Sequence, residues 1–243
     1  MFAIFRKELN AFFSSFIGYI AVGVFLLVMG VFLWVIPGFS ILDYGYASLE
    51  LYFEFAPIVL LVLIPAITMR SFAEENKEGT MELLVTKPLR DGDILMGKFL
   101  AALALVFFAL LPTLLYYYSV WQLGAPKGNI DHGATLGSYI GLFFLSSAFV
   151  ALGMFASSLS NDQIVAFIVG LLLNFVFYLG FYYISTLPAF FGKLDDFVQR
   201  LGFRFHYDAM SRGAIDSRDV IYFLTVIVLF LQASRLNLEK RKW

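Results

Sequence analysis

Six long apolar runs, divided by short charged or turn-rich segments, limit what this chain can fold into more than any other feature. They lie near residues 17–36, 51–69, 99–121, 139–159, 164–187 and 220–235. A helix needs about 20 apolar residues to cross a bilayer, within a range near 17–25. Backbone inside lipid must satisfy its own hydrogen bonds, which leaves helices or closed barrels. Runs this long and continuous predict an all-α polytopic membrane protein with six transmembrane helices. Of the 243 residues, 60% are hydrophobic, more than the 45–50% or so of a soluble domain. No repeat or low-complexity linker divides the chain, so residues 1–243 read as one domain. The second and sixth runs are short and need neighbouring turns to cross. Pro57, Pro65 and Pro112 predict kinks whose freed carbonyls must find other donors.

Several function classes fall away at once. A net charge of −1 gives no reason to expect a nucleic-acid partner. The absence of cysteine excludes disulfides, iron–sulfur clusters and thiolate zinc sites. His132 and His206 stand apart in predicted outer loops without a ligand set, so both read as solvated histidines and no metal site is expected. Counting the second run from Phe55, the span interiors hold no Asp, Glu, Lys or Arg. Ion- and proton-driven transporters keep such residues in their membrane helices. Paired acids for lipid chemistry are missing for the same reason.

Orientation follows from the basic residues. With residue 1 on the cytosolic side, that side holds 11 of the 17 Lys and Arg residues and the outer side 6. The segment 188–219 opposes this assignment, because it carries five of those six outer cations. The remaining loops favour both termini in the cytosol. Phe2, Phe5, Leu9 and Phe12 recur at helical spacing opposite Arg6 and Lys7, which reads as an interfacial helix over residues 1–16 in contact with lipid headgroups. In 188–219, Leu194, Phe197, Val198 and Leu201 share one helical face, fitting either a re-entrant segment or an amphipathic surface helix.

The loop 70–98 carries the functional argument. Gly79 is a natural helix stop, and Thr80 with Glu82 opens a short helix bearing Met81, Leu83 and Leu84, which Pro88 ends. An apolar turn between charges, tied to two spans, can act as a lever. The spacing equally allows a solvated loop whose leucines dip into headgroups. Within it, Gly92 to Lys98 matches G-x-x-x-x-G-K. Phe99 follows where a phosphate-binding loop needs Ser or Thr, and no buried strand precedes it. This chain is therefore expected to bind no cofactor and to hydrolyse nothing, with Lys98 a cytosolic anchor at the start of the third span. Gly137, Gly141 and Gly153 in the fourth span let helices approach closely. Asn174 in the fifth reads as an interhelical hydrogen-bonding group, with a place along a path between helices as the alternative.

An interfacial helix, two spans, a loop with E-x-x-x-G-T-x-E-x-L at Glu75, Gly79, Thr80, Glu82 and Leu84, and four further spans resemble permease subunits of type-2 ABC transporters. The likeness extends over the whole chain and is greatest to the gliding-motility-associated branch of that family. The resemblance implies that Glu75, Glu78, Gly79, Thr80, Met81, Glu82, Leu83, Leu84 and Pro88 form a coupling helix for a cytosolic ABC ATPase. Two ATPase copies would carry the ATP and Mg. The second permease half would be a related chain with a periplasmic part, or a second copy of this one. Residence would be the bacterial inner membrane. The sequence assigns no substrate-binding residues. The alternative reading is a membrane scaffold of a motility or secretion complex that transports nothing.

Overall fold

The computed structural model describes residues 1–79, 91–188, 192 and 194–240. Among these the chain is all helix, with five helices individually long and apolar enough to cross a membrane. α1 (Phe2–Ser14) and α2 (Phe16–Trp34) are bent by 65° to each other, and they bring the number to six if the pair counts as one span. Ser15 takes an extended conformation between them. Gly18 lets the bend close, because a Cβ there would lie 2.5 Å from the Phe12 carbonyl oxygen. The apolar face of α1 stays open: Phe2 is exposed, while Phe5, Leu9 and Phe12 are half-buried. Its inner side, led by Ile4, lies on the third span, where Gly97 admits it; a Cβ at 97 would sit 2.9 Å from the Ile4 Cβ.

The second span is α3 (Glu50–Thr68), which runs into α4 (Arg70–Glu78). Starting at Glu50, α3 brings Glu50 and Glu54 into the helix. α3 begins a turn before the apolar run counted from Phe55, and both acids are exposed on its first two turns. Pro57 has no N–H to give the Phe53 carbonyl one turn earlier. The buried Tyr207 hydroxyl donates to that carbonyl instead, at 2.7 Å. A kink in one helix is thereby repaired by another, 154 residues away. Gly79 ends α4 at φ +69°, the left-handed conformation that glycine takes without strain.

The third span is α5 (Asp91–Leu110), a 3₁₀ turn through Pro112 (Leu111–Thr113) and α6 (Leu114–Leu123). α7 (His132–Leu159) is the most enclosed helix and lies at the centre of the bundle. Its glycines are contact points. A Cβ on Gly137 would lie 2.8 Å from the Gly213 Cα, one on Gly141 2.9 Å from the Met210 Cβ, and one on Gly153 2.0 Å from Thr68 Oγ1. Such approaches exclude any side chain.

The fifth span is α8 (Gln163–Phe175), a single π turn (Val176–Gly180) and α9 (Phe181–Ser185). The outer segment holds α10 (Asp195–Arg200) and α11 (Phe203–Ser211), and α12 (Ser217–Lys240) is the last span. On α10 and its flanks, Leu194, Phe197 and Leu201 face outward and exposed, whereas Phe203, Tyr207 and Met210 of α11 are buried against the bundle.

His206 corrects the reading of a solvated loop histidine. It is buried and stacks on Tyr222 at 3.8 Å between ring centres. Its Nδ1 lies 2.7 Å from Asp219 Oδ1 and its Nε2 2.9 Å from the Arg200 carbonyl oxygen. The cause is long-range: α11 folds back onto the first turns of α12, and the ring fills the seam between them.

Candidate functional site

The loop side of the molecule is held together by polar contacts that the apolar pattern conceals. α4 is fastened to the end of α7 by one hydroxyl. Ser157 Oγ accepts from the Phe72 and Ala73 backbone N–H groups at 3.0 and 3.1 Å and donates to the Met69 carbonyl at 2.8 Å. These are the orphan donors and acceptor that arise where α3 gives way to α4. Asn76 adds a bond to the Ser160 carbonyl at 3.4 Å, and Asn237 of α12 donates to the Ser158 carbonyl. The end of α7 thus serves as an anchor for both α4 and the last span.

A buried ion cluster then ties α4 to two further helices. Lys98 lies two turns into α5 with 3% of its side chain exposed. Its ammonium is 2.9 Å from Glu8 Oε1 on α1 and 2.9 Å from Glu75 Oε1 on α4, and sits over the Phe72 ring at 5.5 Å. Lys7 completes the cluster, 3.2 Å from Glu75 Oε1 and 3.5 Å from Glu8 Oε1. Two cations and two carboxylates balance, so none of the buried charges is left uncompensated. Arg70 forks onto Glu74 at 2.7 and 2.8 Å on the outer face of α4. The expectation that Lys98 is an exposed anchor is corrected: α1 crosses over it and brings Glu8, so the lysine is sealed between helices.

The residues expected to couple to an ATPase divide accordingly. Glu75 faces inward into the cluster, whereas Glu78 and Gly79 are exposed at the tip of α4. Thr80, Met81, Glu82, Leu83, Leu84 and Pro88 lie outside the described residues. Gly137 and Gly141 receive the outer helix α11, and Gly153 receives α3. Asn174 is wholly buried in α8 just before the π turn, and among the described residues neither of its amide atoms has a hydrogen-bond partner. The parts that Glu8, Lys98 and Ser157 play in this site escaped the sequence reading. The signal for them was weak: a lysine beside an apolar run and acids far off in the chain, whose pairing depends on the bend at Ser15.

Residues 41–203 match the family model described as ABC-2 family transporter protein, a stretch that covers more than half of the chain and includes α4, the cluster's Lys98 and Glu75, and the anchor at Ser157. The chain belongs to this family. No curated protein matches it. Members are the membrane components of ABC transporters, so this protein is a multi-pass permease component and not itself the catalyst of ATP hydrolysis. Membership also implies an ATPase partner and a permease built from two halves.

Proposed function

We propose that this ABC-2 permease is the half of an ATP-driven exporter, or of a gliding-motility or secretion machine, that converts the closure of a cytosolic ATPase pair into helix rearrangement. Thr80–Leu84 docks on the ATPase, with Glu78 and Gly79 at the junction. Two ATPase copies carry ATP and Mg, and the second permease half is a related chain with a periplasmic part. The complex resides in the inner membrane of a bacterium with α4 on the cytosolic side.

The observation that carries this reading is the fastening of α4. A push on the segment that follows Gly79 meets a helix bonded to α7 through Ser157 and clamped to α5 and α1 through Glu75, Lys98 and Glu8. A solvated loop has no need of such a mount. Packed helices move as units between discrete arrangements, so a short rigid lever attached to three of them can shift the group. Family membership supplies the engine, and the buried clamp supports the transmission.

Leu83→Arg tests the coupling. It places a charge on the apolar turn at a position outside the spans. The expected result is loss of ATPase stimulation by the permease with the purified chain still folded. Full stimulation and unchanged complex formation remove the coupling role of this turn and favour a scaffold.

A further inference from the structure

At the end of the molecule opposite the Lys98 cluster, α3, α7, the α8–α9 span and α11 line an open cavity of about 720 Å³. Ligand pockets run from about 300 to 1,000 Å³. Its apolar walls mix aliphatic side chains such as Leu49, Ile58 and Leu179 with aromatic ones, Phe53, Tyr178 and Tyr207 being buried and Tyr183 exposed beside them. Its charged walls are unevenly matched. Four acids face it, Glu50, Glu54, Asp131 and Asp208, against Arg204 and Arg212.

Most of these charges already have work. Asp131 caps α7 by accepting from the Ala134 N–H at 2.9 Å. Arg204 Nε lies 3.6 Å from Asp208 Oδ2, and its guanidinium stacks 4.3 Å above the Tyr182 ring. Arg212 Nε donates to the Asp208 carbonyl oxygen at 3.0 Å. Both arginines are thus turned toward their own helix and neighbours. Among the described residues, the carboxylates of Glu50 and Glu54 form no hydrogen bond or ion pair. They stand exposed at the cavity's edge on the first two turns of α3, where their charges are open to a ligand.

Two further observations narrow the occupant. No group of three or more acids and histidines is gathered closely enough to hold a metal ion, among the described residues. The void is also far larger than an inorganic cation needs. Burial lifts the Asp208 carboxyl above its ordinary range, Arg204 and Arg212 pull it back, and Glu54 adds to the lift. A positive charge lodged beside both carboxylates relieves their mutual repulsion and compensates the burial. Aromatic faces favour the same sign of charge and accept an apolar body.

We propose that this cavity binds an organic cation with an aromatic or apolar body, its charge beside Glu54 and Asp208 and its body against Phe53, Tyr178 and Tyr183. The site lies at the far end of the molecule from α4, and binding to it requires no nucleotide. Its failure therefore leaves the coupling reading untouched, and an uncoupled Leu83→Arg leaves this site untouched.

The test is fluorescence anisotropy of rhodamine 6G, a permanent aromatic cation, against the full chain in phosphatidylcholine nanodiscs. Fluorescein serves as an anionic ring system of similar size, and empty nanodiscs as the blank. The proposal expects saturable rhodamine binding above the blank and none of fluorescein. Glu54→Gln, which keeps the shape of an exposed side chain, should weaken binding roughly tenfold, the loss of one charge-assisted contact. Tyr183→Ala, on a different element and also exposed, should weaken it too. Rhodamine binding no greater than to empty nanodiscs overturns the proposal. So does saturable binding whose affinity is the same in Glu54→Gln and Tyr183→Ala as in the wild type.

Discussion

Lys98 and Glu8 are 90 residues apart in the chain and 2.9 Å apart in the fold. The contact exists because the bend at Ser15 returns α1 along the start of α5, and Glu75 of α4 reaches the same ammonium. Breaking a buried pair by removing one partner costs about 3–5 kcal/mol, because the charges left behind stay buried. Lys98→Met leaves Glu8 and Glu75 side by side with only the half-exposed Lys7 between them. A fall in stability of that order is expected in unfolding of the purified chain. Lys98→Met combined with Glu8→Gln and Glu75→Gln should recover most of it. A single Lys98→Met variant as stable as the wild type contradicts the clamp.

The repair of the Pro57 kink makes a sharper prediction. Tyr207→Phe removes the donor to the Phe53 carbonyl and should cost about 1–3 kcal/mol, the penalty for stranding a buried acceptor. In a Pro57→Ala background the backbone regains its own N–H, and the same Tyr207→Phe change should cost much less. A double-mutant cycle reads this directly. Equal costs in the two backgrounds mean that the hydroxyl is not replacing the missing backbone donor.

Gly153 sets the spacing between α7 and α3. Its Cβ position lies 2.0 Å from Thr68 Oγ1, so Gly153→Ala forces the two helices apart. Overpacking of this kind costs about 1–3 kcal/mol. Thr68→Ala removes the clashing oxygen and should relieve part of the penalty when combined with Gly153→Ala. Thermal unfolding of the two single variants and the double variant checks the pattern, and strict additivity contradicts it.

These sites show what the sequence made legible and what it concealed. The spans were legible because uninterrupted apolar runs of that length have few other solutions, and the stop at Gly79 because glycine reaches the left-handed region without strain. Gly153 could be read as a packing residue from its type alone, though Thr68 as its partner could not. Lys98 was misread because a lysine beside an apolar run ordinarily reaches for water. Its partners lie on α1 and α4, and only the bend at Ser15 brings them in. His206 was misread for a similar reason: the seam that hides it joins α11 to α12. Glu54 falls outside the second span only when the run is counted from Phe55, whereas the helix starts at Glu50. In each case the missing information was a contact between distant elements.

Asp208 predicts a pH dependence. Its carboxyl is held above the ordinary range chiefly by burial, against the pull of Arg204. Stability linked to such a group is fully present below the ordinary carboxylate value, near 3.9, and is lost as pH rises through the raised value. Asp208→Asn removes that loss. The variant should therefore compare more favourably with the wild type at pH 7.5 than at pH 4, as read by melting temperatures of the purified chain. A difference that does not change with pH contradicts the assignment.

The central claim is that this permease half is driven from outside itself, by an ATPase working on the α4 end. The most direct measurement is gentle solubilisation of native membranes, capture of the chain, and identification of what accompanies it. The account predicts an ATPase with a phosphate-binding loop together with a second permease-like chain, the ATPase being lost or uncoupled when Leu83 is replaced by Arg. A reproducible complex that contains no ATPase contradicts it.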